Sequence, residues 1–229
     1  MGNEEIFSFL ITLICYMFFK SLYHKKKILF FSPVLICPIL LIFLVDYVPI
    51  SYQAYEKGTQ LFTYLLQPAT VAFAIPMVKH WQLLKRYTIE LLSGVIFGST
   101  FALFLTLGLS TIFHFDPIIS NSLAPRSITT PFAVTIASQI GGNQSLSAAF
   151  VILTGVVGMV GGTWIIRLIR IQSPLAKGVM FGVGSHGIGT SKAFELGESE
   201  GTFSSLAMIL SAVLGMLLIP IWVGLFIKI

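Results

Sequence analysis

The sequence predicts an all-α polytopic membrane protein, with about seven transmembrane helices plus a re-entrant hairpin. Three observations carry that expectation. The 229 residues are 55% hydrophobic and only 10% charged, against about 25% charged in an ordinary soluble domain. Mean hydropathy is +0.91. The apolar residues fall in runs at roughly 6–20, 28–48, 59–79, 88–112, 117–140, 146–166, 174–194 and 202–227, each near or above the ~20 residues a helix needs to cross a bilayer. One membrane domain, 1–229, accounts for the whole length, with a first half at 1–112 and a second at 113–229. The net charge of +5 does not indicate nucleic acid. The basic residues sit in short clusters between apolar runs, where they encode topology in the bilayer.

The first run, Ile6 to Phe19, follows Glu4 and Glu5 and precedes Lys20, His24 and Lys25 to Lys27. That charge order is the reverse of a signal peptide, and no small-residue cleavage site follows. A retained helix with its N-terminus outside is expected. Cys15 and Cys37 lie inside the first two runs, which indicates neither a disulfide nor a metal site. Lys20 with Lys25 to Lys27, Lys79 with Lys85 and Arg86, and Arg167 with Arg170 and Lys177 mark three cytoplasmic loops. The loops at 46–58 and 113–116 carry Asp46, Glu56 and Asp116 against Lys57 and face out. The third run is interrupted at Leu66-Gln-Pro-Ala-Thr70.

The run at 88–112 then ends outside, and the run at 146–166 has to start there. The segment between them, 117–140, begins and ends on one side and is expected to re-enter. Its middle, Leu123-Ala-Pro-Arg-Ser-Ile-Thr-Thr-Pro131, suits a chain reversal, because proline breaks a continuous helix. The run at 174–194 belongs to the stretch Lys177 to Gly201, which holds seven of the chain's 20 glycines. Each interior Gly costs a helix about 1 kcal/mol relative to Ala, and a freed backbone group inside a bilayer has no water to meet. A broken helix at Gly184-Ser-His-Gly187, lining a polar site, is expected rather than simple close packing. Lys228 favours a cytoplasmic C-terminus for the last run.

With these directions, 28–48, 59–79 and 88–112 mirror 146–166, 174–194 and 202–227. That is an inverted 3+3 repeat with broken helices, the plan of many secondary transporters, in which paired interruptions point to a midplane site. Arg126 is the one cation away from every loop cluster, and an intramembrane Arg is by default a functional candidate. The plain alternative makes 117–131 an exposed loop. His186 is read as a ligand or as a packing histidine on equal terms. Gln67, Thr70, Ser127, Thr129, Thr130, Ser185, Gly187 and Thr190 complete the candidate substrate site with neutral hydrogen-bonding groups and open backbone. An enzyme is not expected. Ser185 and His186 are neighbours rather than partners from different helices, and no Cys/His/Asp cluster has metal spacing. An oligomeric pore remains the other class.

Several motifs resemble the LrgB/CidB family of bacterial membrane proteins. They are Arg126-Ser-Ile-Thr-Thr-Pro131, Gln139-Ile-Gly-Gly142, Ser173-Pro-Leu-Ala-Lys-Gly178, Ser185-His-Gly-Ile-Gly-Thr190, Glu195-Leu-Gly-Glu198 and Phe203-Ser-Ser-Leu-Ala207. Pro68-Ala-Thr-Val-Ala72 with Ile75-Pro76 is similar to the family's first-half motif. Many relatives carry Glu or Gly before the Pro68 position, and Gln67 here cannot carry a proton. The resemblance implies a multi-pass protein of the bacterial cell membrane that works with a small LrgA/CidA-type partner. It implies one of two activities: an antiholin-like or holin-like regulator of murein hydrolase activity and lysis, or a carrier of small monocarboxylates such as pyruvate, glycolate or glycerate. The residue pattern favours the carrier. No cofactor is expected beyond a coupling H+ or Na+, and a homo-oligomer is expected.

Overall fold

The computed structural model describes residues 2–26, 32–48, 50–72 and 74–226. Among the described residues every regular element is a helix. Four helices among the described residues are long and apolar enough to cross a membrane: Asn3–Lys25, Thr88–Ile112, Gln144–Leu168 and Glu198–Leu225. The chain packs as two units, residues 1–71 and 72–229.

The first unit holds α1 (Asn3–Lys26), α2 (Pro33–Tyr47) and α3 (Tyr52–Ala72). Phe9 stacks on Phe62 with ring centroids 5.0 Å apart, and the Thr12 and Tyr55 hydroxyls lie 3.1 Å apart, tying α1 to α3. Cys15 and Cys37 are buried free thiols. Pro68 lies inside α3. One proline removes a single ladder hydrogen bond, and the helix absorbs that loss. The interruption expected at Leu66 to Thr70 is therefore absent, since the backbone stays helical to Ala72. The side chains of Gln67 and Thr70 lie outside the described residues, as do Lys27 and Lys228.

The second unit holds α4 (Ala74–Lys79), α5 (Trp81–Arg86), α6 (Thr88–Ile112), α7 (Pro117–Leu123), α8 (Thr130–Gln139), α9 (Gln144–Leu168), α10 (Pro174–Leu196) and α11 (Glu198–Phe226). Local chemistry starts several of these helices. Asp116 accepts from the Ile118 amide at 2.8 Å and Asn143 from the Leu146 amide at 2.9 Å. Ser173 accepts from the Ala176 amide at 3.3 Å. Each satisfies a backbone donor that the first turn leaves free. Pro117 and Pro174 follow two of these caps, where a missing N–H costs nothing.

α6 and α11 run parallel. The Tyr87 ring meets Phe203 edge-on at 5.3 Å, Ser99 Oγ lies 2.9 Å from Ser211 Oγ, and Phe104 packs on Trp222 at 4.8 Å. α7 and α8 are short and joined through 124–129. The chain then returns to α7, because Asn121 Nδ2 donates to the Ile140 carbonyl at 2.6 Å and the Asn143 amide donates to Ser122 Oγ at 2.8 Å. Gly141 makes that return with φ +76°, a conformation cheap only for glycine.

α10 is the largest departure from expectation. A straight helix of its length would span about 34 Å. Instead Lys177 Nζ, near its start, lies 3.4 Å from Glu200 Oε1, just past its end. A Cβ on Gly178 would fall 2.6 Å from Phe203 Cβ, while Gly201 abuts the Phe194 ring. The start and end of α10 therefore flank the same turn of α11, and the helix doubles back on itself. The reversal sits at His186, with φ 40° and ψ −129° between two helical limbs. The break foreseen at Gly184 to Gly187 is there, but the segment 174–194 is a helical hairpin and not a crossing helix. The 3+3 repeat that counted it as a span does not hold in that form. Its last member also runs parallel to α6, where the expected topology made the two antiparallel.

Candidate functional site

The first cluster of candidate residues lies at the turn between α7 and α8. Arg126 and Ile128 amides donate to the Leu123 and Pro125 carbonyls at 3.1 and 3.2 Å, closing two tight turns. Ala124, Ile128 and Thr129 are buried, whereas Arg126, Ser127 and Thr130 are half-buried. Arg126 Nε donates to Thr106 Oγ1 at 3.0 Å. That hydroxyl already donates to the Ala102 carbonyl at 2.7 Å, so it has no proton left and can only accept. The ion pairs of the described residues join Lys177 to Glu200 and Lys192 to Glu195, and none reaches Arg126. Its remaining N–H groups form a planar fork suited to two carboxylate oxygens. Thr129 precedes the first turn of α8, and its buried Oγ1 has no partner among the described residues.

Ser127 also lines a cavity of about 20 Å³ with Ser99, Thr100, Ser211 and Trp222. That is room for one water and too little for a three-carbon acid.

The second cluster lies at the reversal of α10, where Ser185 and His186 are buried. His186 Nε2 is 2.9 Å from the Val151 carbonyl. A carbonyl only accepts, so Nε2 carries the hydrogen. Two glycines of α9 make room for the apex. A Cβ on Gly155 would fall 2.7 Å from His186 Cε1, and one on Gly158 would overlap Ser185 Oγ. Thr190 Oγ1 donates to the His186 carbonyl at 2.8 Å and sits 2.9 Å from Ser204 Oγ. Having spent its proton, Thr190 accepts from Ser204. His186 Nε2 and Thr190 Oγ1 are thus engaged within the protein, and they shape the apex. Gly187 is open, since a Cβ there would meet only Met208 Sδ, at 4.0 Å.

Val151 of α9 belongs to the surroundings of both turns. Its side chain packs in one cluster with Ala124, Ile128 and Ala133, while its carbonyl takes the His186 hydrogen bond. One face of α11 also serves both turns, with Ser204 at Thr190, Met208 at Gly187, Ser211 beside Ser127 and Gly215 against Ile128. Seven residues of helix separate Ser204 from Ser211, a rise of about 10 Å. No hydrogen bond joins Arg126 to His186 among the described residues. Gln67 and Thr70 belong to α3 of the first unit. Also among the described residues, no group of three or more His, Cys, Asp or Glu could hold a metal ion.

Thr106, Ser99 and Ser211 enter the site without having been singled out from sequence, and Ser204 only as part of a family motif. A signal existed, since Ser99, Thr106 and Ser110 fall at offsets of seven and four on one face of an otherwise apolar helix.

Comparison with known proteins agrees with the motifs. The sequence model of the LrgB-like family matches residues 12–225. YwbG of Bacillus subtilis, described as an uncharacterized protein, is 41% identical over 94% of this chain and 96% of its own. YxaC of the same organism, likewise described, is 36% identical over 95% and 94%. The holin-like protein CidB of Staphylococcus aureus is 32% identical over 97% of each chain. No solved structure matches.

Proposed function

This chain belongs to the LrgB-like family, and from that premise we propose that it is a bacterial membrane carrier for a small monocarboxylate of the pyruvate, glycolate or glycerate class. The observation that carries the reading is Arg126, a guanidinium at a buried turn with no acidic partner among the described residues. A monocarboxylate entering the membrane needs a compensating charge, and an Arg fork can grip both of its oxygens. Thr129, three residues on in the same connection, supplies a buried and unpartnered Oγ1 as a further donor.

In this reading α6, α9 and α11 cross the bilayer. The segments 117–139 and 174–196 then re-enter from opposite faces, with Val151 in the surroundings of both turns. Lys79, Lys85, Arg86, Arg167, Arg170, Lys177 and Lys192 all collect at one end of the second unit, which the positive-inside tendency makes cytoplasmic. Residues 113–116 and 141–145 fall at the outer end. The parallel course of α6 and α11 then carries the end of α11 outward, opposite to the direction expected from sequence for the last run. A small LrgA/CidA-type protein is the proposed partner, and a homo-oligomer the proposed state.

The second reading is a holin-like or antiholin-like regulator of murein hydrolase activity and lysis; its holin-like part rests on the name of the CidB relative, and the rest on the family resemblance of the motifs. Uptake of labelled pyruvate or glycolate into proteoliposomes, with and without the partner, separates the two. Arg126→Gln is expected to abolish uptake with expression unchanged, and Arg126→Lys to retain some uptake at weaker affinity. Saturable uptake that Arg126→Gln leaves intact refutes the site. An absence of uptake beside a lysis phenotype favours the regulator.

A further inference from the structure

The outer end of α6 carries a crevice that the carrier site does not use. Leu107, Ser110, Thr111, His114, Pro117 and Ser120 are among the residues around its cavity of about 170 Å³, enough for several waters or a small organic acid. Two features of its lining are unusual. Serines and threonines inside a helix commonly return the hydroxyl to the carbonyl four residues back. Thr106 and Thr111 do so, at 2.7 and 3.0 Å. Ser110 does not. Its Oγ is buried at 6% residue exposure and has no partner among the described residues. His114 stands two residues beyond the helix in the left-handed region, with φ 52°, although it is not a glycine. That conformation closes the C-terminus of α6, where the His114 amide donates to the Thr111 carbonyl at 3.2 Å and the Phe115 amide to the Ser110 carbonyl at 2.9 Å, and it places His114 at the cavity.

The spacing connects this crevice to Arg126. Thr106, Ser110 and His114 follow one another at four-residue intervals, and Thr106 is the residue to which Arg126 Nε donates. Four residues of helix rise about 6 Å, so Ser110 lies one turn outward of Thr106 on the same face. The nearby carboxylate, Asp116, is occupied as the cap of α7, accepting from the Ile118 amide at 2.8 Å.

We propose that this crevice is a vestibule site for a small carboxylate. There the Ser110 hydroxyl and the His114 imidazole N–H hold the anion before it passes one turn inward to Arg126. The identity of the anion rests on the carrier reading above, whereas the site itself can be probed without any transport. In a background lacking Cys15 and Cys37, Ser110→Cys in right-side-out vesicles is challenged with a small anionic thiol reagent. Labelling is expected, and millimolar sodium pyruvate is expected to slow it at least threefold relative to sodium chloride of the same concentration. Labelling that pyruvate does not slow means a crevice holding water only, and overturns the proposal. So does a failure to label before denaturation. His114→Ala provides a second measurement should the cysteine variant misfold: it is expected to raise the KM for external pyruvate about fivefold with kcat unchanged. An unchanged KM overturns the proposal while leaving the carrier reading intact. Protection by pyruvate in a protein that transports nothing would sink the carrier reading alone.

Discussion

Replacing His186 by Ala and by Gly tests the reversal of α10 through the sign of a difference. Both substitutions delete the imidazole and its 2.9 Å hydrogen bond to the Val151 carbonyl, so that loss, about 0.5–1.5 kcal/mol net, is common to the pair. The variants differ by one Cβ at a residue with φ 40° and ψ −129°. A side chain in so sparsely populated a region costs about 1–3 kcal/mol. Glycine escapes that strain but loses about 0.5–1 kcal/mol of conformational freedom on folding. The balance puts His186→Gly level with His186→Ala or up to about 2 kcal/mol more stable. At the usual scale of about 2–4 °C per kcal/mol for a chain of this size, the Gly variant should melt up to several degrees higher. Thermal unfolding of the two purified variants in one detergent, followed by tryptophan fluorescence, reads the order directly. In an uninterrupted helix the order reverses, with Ala ahead by about 1 kcal/mol. An Ala variant that melts a few degrees above the Gly variant would refute the reversal at His186.

Other outcomes follow from the same geometry. Lys177→Cys paired with Glu200→Cys, in a background without native cysteines, should be bridged by a short bifunctional thiol reagent, since the native side chains meet at 3.4 Å. A straight α10 would hold them about 30 Å apart, so a lack of cross-linking in well-folded protein contradicts the hairpin. Gly189→Ala should destabilise by about 1–3 kcal/mol through overpacking, because its Cβ would lie 2.5 Å from the Phe181 carbonyl oxygen in the opposite limb. Gly187→Ala meets only Met208 Sδ, at 4.0 Å, and should be neutral. Equal melting temperatures for these two would count against the packing of the limbs. Ser204→Ala should cost about 1 kcal/mol by removing the donor that Thr190 accepts from at 2.9 Å, and a neutral result in the same melt would mean that this bond is absent.

The amino-acid sequence by itself determined the solvent this protein folds in and the places where its helices fail. Long apolar runs with few charges leave only a membrane as a consistent environment. The glycines from Gly178 to Gly201 marked α10 as breakable, and Pro125 and Pro131 around Arg126 marked a turn. Those are local properties: a missing Cβ or a missing N–H weakens a helix whatever surrounds it. The direction taken after a break is not local, and only the tertiary structure decided it. The limbs of α10 fold back because Gly155 and Gly158 on α9 admit the His186 ring and Ser185 at one end. At the other, Lys177 closes onto Glu200. Pro68 shows the converse, a breaker whose helix continues to Ala72 because losing one hydrogen bond does not outweigh the ladder on either side. Which polar side chains stay free is also a tertiary outcome. His186 Nε2 and Thr190 Oγ1 looked available in sequence and are engaged with Val151, Ser204 and the His186 carbonyl. Arg126, Thr129 and Ser110 retain unsatisfied groups because the described residues that fold against them offer no complementary atom.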